Sequence, residues 1–212
     1  MSEDNQAETT ESRGSRRKRQ TREKLLHAAM ELMADRGAEG VAINEITERA
    51  DVGFGTFYNH FPSKEAIYEA LIHQVFDDFA DEIDVQTKDM DDPAAILALS
   101  VQLSMARAAQ DELWGRLLMR ESLTPAALTR GLGQRLTRDI LIGVQQKRFA
   151  SDDLVATFVS VSGTVIMGIL AQQIAGDPAS PMHQLSNIMG TDMKDLGPRI
   201  AASVLTTLGL SA

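Results

Sequence analysis

The chain has 212 residues, 43% of them hydrophobic, and no cysteine. That length fits one or two domains, and the apolar content excludes wholesale disorder. The missing thiol excludes a disulfide framework, a thiolate metal site and a thiol nucleophile.

A net charge of −9 argues against a polyanionic partner, but the distribution reverses that reading. Residues 1–12 carry four acids and no base, 13–64 ten bases against seven acids, and 65–212 eleven against nineteen. Within 13–24, seven bases face one acid. A basic block ahead of an acidic body suits a chain with one end on a polyanion, and equally a solvated basic tail. His27, His60, His73 and His183 are scattered without ligand spacing, so no metal site and no cofactor are expected. Met1 to Glu11 is polar and acidic where a signal peptide would be basic then apolar, so a cytoplasmic setting is expected.

Helical spacing runs through most of the chain. Residues 1–15 are expected to be a disordered tail. Leu25, Ala29, Leu32 and Met33 form one stripe of a first helix that Gly37 can end. Ile43, Ile46 and Ala50 mark a short second helix, followed by a break at Asp51-Val52-Gly53 and an aromatic segment from Phe54 to Phe61. Ser63 is a good N-cap for a fourth helix carrying Ile67, Leu71, Val75 and Phe79. Asp92-Pro93 opens a helix to about Ala109, Leu113 to Met119 is a short apolar piece, and Pro125 begins a run to Arg148. Ser151 is expected to cap the next helix, which Gly176-Asp177-Pro178 ends. The stretch 177–190 reads as loop, and a last helix runs from about 191 to Leu208. The fold class is therefore all-α: a helix-turn-helix domain over 16–62 and a larger helical domain over 63–212.

Two short helices separated by a three-residue break fit a helix-turn-helix. Phe57 and Phe61, at i and i+4, face the core and leave Thr56, Tyr58, Asn59 and His60 for other faces. Such side chains suit base edges and phosphates in a major groove, and Gly53 and Gly55 let the backbone approach a duplex. A plain connector whose aromatics fill the core has the same spacing.

The run Val52-x-x-Gly55-Thr56-x-Tyr58-x-His60-Phe61-x-x-Lys64 resembles the DNA-binding domain of the tetracycline-repressor (TetR) family of bacterial regulators, in detail over about 16–80. The resemblance implies that Gly55 and Thr56 open the recognition helix, with Thr56 on a phosphate or base edge. It puts Tyr58 and His60 on the DNA backbone and Asn59 and Phe54 where bases are read. Phe54 there meets a thymine methyl or simply packs. Lys64 is implied to hold a phosphate, and Asn44 joins the DNA-facing set. Arg16, Arg17, Arg19 and Arg22 precede or open the first helix, where the resemblance implies a basic arm toward the minor groove that adds affinity and salt dependence. Three positions depart from the family pattern. Ala42 lacks the usual capping hydroxyl, Asp51 stands for the turn glycine, and Gly53 replaces a Ser cap.

Residues 154–176 hold no charge over 23 positions, enough to span a bilayer, so a membrane-attached sensor is the alternative function. A core helix gripping a second subunit has the same composition. The resemblance favours the latter, with no membrane partner: a homodimer through helices at about 152–175 and 191–209. The expected interface is Phe158, Ser162, Val165, Ile169, Ile200, Val204 and Leu208, and the implied operator is palindromic double-stranded DNA. It also implies an unknown small-molecule effector, with His73, Phe76, Met105, Trp114, Leu118, Met119 and Met167 as candidate ligand-binding residues or ordinary core. No nucleophile–base pair or Gly-rich phosphate loop is present, so no enzymatic activity is expected. The implied function is a dimeric regulator, a repressor released from its operator by a small apolar ligand.

Overall fold

Ser12 opens the first helix by accepting the Ser15 N–H on its hydroxyl at 3.1 Å. The computed structural model describes residues 12–210, so most of the expected tail, residues 1–11, lies outside the described residues. Residues 13–15 of that tail are helical. Helix α1 spans Arg13–Arg36 and stops where Gly37 adopts φ 76. Residues 16–22 lie in the first turns of α1.

The chain divides into two compact units between Ala70 and Leu71, rather than after residue 62. The first unit holds α1, α2 (Ile43–Arg49), α3 (Phe54–Tyr58) and most of α4 (Lys64–Ile72). Leu25, Met33, Ile46, Phe57 and Ile67 are all completely buried there.

In the second unit a π-helical turn, His73–Asp77, leads into α5 (Asp78–Thr87). It is followed by α6 (Pro93–Gln110), α7 (Glu112–Glu121), α8 (Pro125–Leu128) and α9 (Gly131–Gln145). Helices α10 (Leu154–Ile174), α11 (Pro181–Met189) and α12 (Leu196–Thr207) complete it, with a 3-10 turn at Met193–Asp195. No strand occurs among the described residues. Helix α6 is central, packing on α12, α10, α7 and α9. Asp92 fixes its start twice over, accepting the Ala94 N–H at 3.0 Å and pairing with Arg148 at 2.8 and 3.0 Å. Trp114 on α7 is buried edge-on to Phe79 at 4.8 Å between centroids. Such a pair contributes about 0.5–1.5 kcal/mol beyond area burial.

Several boundaries differ from the sequence reading, each for a local reason. The segment read as loop contains α11, because Ser180 accepts the Met182 N–H at 3.1 Å, Pro181 occupies the first turn, and Gly190 takes a left-handed conformation. The cap of α10 is Asp153, which accepts from Val155 and Ala156 at 3.0 Å, and not Ser151. The run from Pro125 breaks at Arg130, where α9 begins on Gly131. A side chain at Gly131 would stand 2.1 Å from the Phe76 carbonyl oxygen, so only glycine lets α9 meet the π-helical turn. Arg130 then pairs with Asp77 of that turn at 2.9 Å.

Candidate nucleic-acid interface and effector cavity

In the first unit, α2 ends at Ala50 and the chain reverses through Asp51 at φ 53, a left-handed conformation that Asp tolerates better than most residues. The Val52 N–H returns to the Thr47 carbonyl at 3.0 Å, and Gly53 leads into α3. Ala42 cannot cap α2 with its side chain. Glu45 compensates by accepting the Ala42 N–H at 2.9 Å and pairing with Arg36 at 2.8 Å. The backbone N–H first, and Arg36 second, hold the Glu45 carboxyl below its ordinary range.

With five residues, α3 sorts its side chains sharply. Phe57 and, just beyond, Phe61 are buried, while Phe54 and Tyr58 are 53% and 50% exposed. Gly55 and Asn59 are exposed, and Thr56 and His60 half-buried. The Tyr58 ring stands edge-on to Phe54 at 5.7 Å and to Phe57 at 5.4 Å. Phe54 is therefore not core. A methyl group added at Gly55 would meet nothing within 4 Å. Glycine inside a helix costs about 0.5–1 kcal/mol relative to alanine. Nothing among the described residues requires that cost.

Positive charge gathers beside this helix. Arg16, Arg17, Lys18, Arg19 and Arg22 are exposed on α1 or nearly so, and the Arg22 guanidinium lies 4.7 Å over the Phe61 ring. Burial first, then Lys18 and Arg22, hold the His60 imidazole below its usual value. Its Nδ1 is buried without a protein partner. Lys18 was absent from the sequence-based set, although it lies in the same basic run. Asn44 is exposed on α2. The Lys64 ammonium is 3.4 Å from the Glu39 carbonyl, at the start of α4.

The second unit contains a partly open cavity of about 140 Å³. Its walls combine Phe76, Leu118, Phe158, Val161 and Val165 with Arg135 and several serines. Of the expected ligand residues only Phe76 and Leu118 line it. His73 is exposed and pairs with Asp78 at 2.9 Å; Met167 is 60% exposed, Met119 half-buried, and Trp114 packs on Phe79. Met105 is buried beside Gly168 and Gly197, at a separate cleft. The residues expected at a dimer interface fall into two groups. Phe158, Ser162 and Val165 face the cavity, while Ile169, Val204 and Leu208 are completely buried within the chain. Ile200 is half-buried against Gly168. The exposed stripe of α10 is instead Val155, Val159 and Met167, at four- and eight-residue steps.

Beside the cavity lies a buried ion network that sequence reading missed. Arg135 donates to Asp84 at 2.9 Å, Asp139 at 2.7 Å, Ser100 at 2.8 Å and Thr87 at 3.1 Å. Arg138 joins from solvent, to Asp84 at 2.7 Å and Asp139 at 3.1 Å. Arg138 foremost, and Arg135, hold the Asp84 carboxyl down, whereas burial pushes Asp139 up against the pull of both guanidiniums. Its signal was an Arg135–Asp139 pair four residues apart on the same side of α9 as Leu132, Leu136 and Ile140. Arg135→Ala is expected to cost at most about 3–5 kcal/mol, by leaving the buried Asp139 carboxylate with the half-exposed Arg138 as its remaining cation. Because a raised carboxyl takes up its proton earlier in the folded state, that penalty is present near pH 7 and shrinks as pH falls through the raised value. Urea melts of both proteins at pH 7 and pH 5 read the narrowing gap.

The turn, the outward row on α3 and the cavity-bearing helical body together define an all-α, ligand-binding class of helix-turn-helix regulators. Comparison with known proteins is specific. Residues 25–71 match the family model described as bacterial regulatory proteins, tetR family, and 92–212 match the tetracyclin repressor-like C-terminal domain. This chain belongs to the TetR family of DNA-binding transcriptional regulators, which is not an enzyme family. It is 35% identical over 72 residues to the transcriptional repressor DhaR of Mycobacterium sp. strain GP1, covering 34% of this chain and 36% of that one. Only about a third of DhaR's length is therefore matched. The regulator RutR of Escherichia coli K12 is 26% identical over 186 residues, covering 87% of this chain and 78% of RutR. Among solved structures, RolR in complex with resorcinol is 31% identical with a TM-score of 0.59, covering 92% of this chain and 90% of RolR. FadR of Bacillus subtilis in complex with stearoyl-CoA shares the fold at 18% identity, with a TM-score of 0.65 over 87% of this chain and 98% of FadR.

Proposed function

We propose that two copies of this chain bind a dyad-symmetric operator as a repressor and leave it when a small, largely apolar molecule fills the cavity. The observation that carries the DNA half is the outward row of α3, with Phe57 and Phe61 anchoring it from behind. In this reading Asn59, Phe54 and Thr56 meet base edges, Phe54 through a thymine methyl. Tyr58, His60, Lys64 and Asn44 hold phosphates, and Arg16, Arg17, Arg19 and Arg22 add sequence-independent attraction.

The two copies meet through the outer stripe of α10, Val155, Val159 and Met167, with Gly163 between them permitting close helix approach. By length and apolarity α10 matches a membrane span. Its inner side nevertheless packs on α6 and α12 and lines the cavity, and the protein is read as acting in the cytoplasm. The cavity is near the size, about 150 Å³, that accepts benzene in an apolar protein interior. RolR's ligand, resorcinol, is likewise a single ring.

Selection of genomic DNA fragments by the purified protein tests the proposal. The recovered fragments should share an inverted repeat, with binding that weakens steeply as salt rises. Enrichment of no sequence at moderate salt would overturn it.

A further inference from the structure

The polar groups around the cavity are nearly all of one kind. Ser104 on α6, Ser122 at the end of α7 and Ser162 on α10 line it. Each gives its hydroxyl proton to the carbonyl one turn back: Ser104 to Ser100 at 2.8 Å, Ser122 to Leu118 at 2.6 Å, Ser162 to Phe158 at 2.7 Å. A hydroxyl has one proton and two lone pairs, so these three side chains keep acceptors and no further donor. A fourth serine, Ser100, is committed in both senses: it donates to the Ile96 carbonyl at 2.7 Å and accepts from Arg135 at 2.8 Å.

Charge is balanced in the same region. Among the described residues Arg135 is the one charged side chain lining the cavity. Asp84 and Asp139 hold it, and Arg138 holds both carboxylates in turn. Two guanidiniums face two carboxylates, so an anion entering the cavity finds no uncompensated cation and its burial is unfavourable. A wholly apolar ring fits the volume but covers the serine oxygens without pairing them, which a site built around hydrogen bonds penalises.

We infer that the effector is an uncharged single-ring molecule bearing hydroxyl groups that donate hydrogen bonds, and that Ser104, Ser122 and Ser162 determine this specificity by accepting them. The inference rests on the proposed role of the cavity as the effector site.

Calorimetric titration of the full chain with the three dihydroxybenzenes, the matching xylenes and benzoate tests it, with operator binding followed in parallel. At least one dihydroxybenzene should bind ten times or more tighter than its xylene, and benzoate should not compete. Serine to alanine removes one oxygen that bonds only within its own helix, so Ser104→Ala, Ser122→Ala and Ser162→Ala should melt like the parent. The combined variant should bind the dihydroxybenzene about tenfold or more weaker and the xylene equally or better. Xylene binding as tight as the diol, with release of the operator, would overturn the polarity rule and leave the effector site standing. Unchanged preference for the diol in the combined variant would overturn the role of the serines. Binding of no ring compound while operator binding persists would overturn the effector site itself.

Discussion

Tyr58→Ala is expected to weaken operator binding by about 1–3 kcal/mol for each copy engaged, roughly five- to 150-fold, while the protein melts as before. Tyr58 is half exposed, and its ring touches the protein mainly along the edges it shares with Phe54 and Phe57. Removing it opens no cavity in the core. A symmetric complex contains the contact twice, so the loss in the two-copy complex is correspondingly larger. Fluorescence anisotropy with the selected operator at one fixed salt concentration measures it. An unchanged affinity would remove α3 as the reading element.

Phe57→Ala should abolish the same binding by a different physical route. Phe57 is completely buried among residues of the small N-terminal unit. Deleting a buried phenyl group costs about 3–5 kcal/mol, comparable with the whole stability of so small a unit. The expected result is loss of operator binding together with rapid proteolysis within residues 12–70, while the larger unit resists digestion. Wild-type binding by this variant would mean that the α3 anchor contributes little. Comparing adjacent residues, one facing out and one facing in, separates contact with DNA from support of the helix that makes it.

How much of this was legible in the residues differs between the two units. The aromatic pair at i and i+4, the short apolar second helix and the break at Asp51 constrain one another, so the buried side of α3, Phe57 and Phe61, was legible in the spacing, whereas the side of Phe54 was not. The body offered less. Helix α11 was read as loop because Ser180, Pro181 and Gly190 are both turn-formers and helix caps, and local composition does not separate those roles.

Helix α10 exposed another limit of periodicity. With no charge along its length, apolar residues face every side, and the phase of its inner face cannot be read from spacing. Phe158, Ser162 and Val165, expected at a subunit contact, line the cavity, and Ile169 is in the core. The exposed stripe is displaced around the same helix. Methionine was also a poor guide to the cavity: Met105 packs against glycines, and Met167 faces outward. The serines that line the cavity carried no sequence signal, because their role depends on three helices meeting.

The most direct measurement of the central claim is a chemical footprint of the protein on its selected operator, using a probe of guanine N7 in the major groove. Two copies inserting α3 should protect two major-groove segments on one face of the duplex, centred about 10–10.5 base pairs, or roughly 34–36 Å, apart. Tyr58→Ala should weaken both together. A single protected segment, or protection confined to the minor groove, would contradict the account.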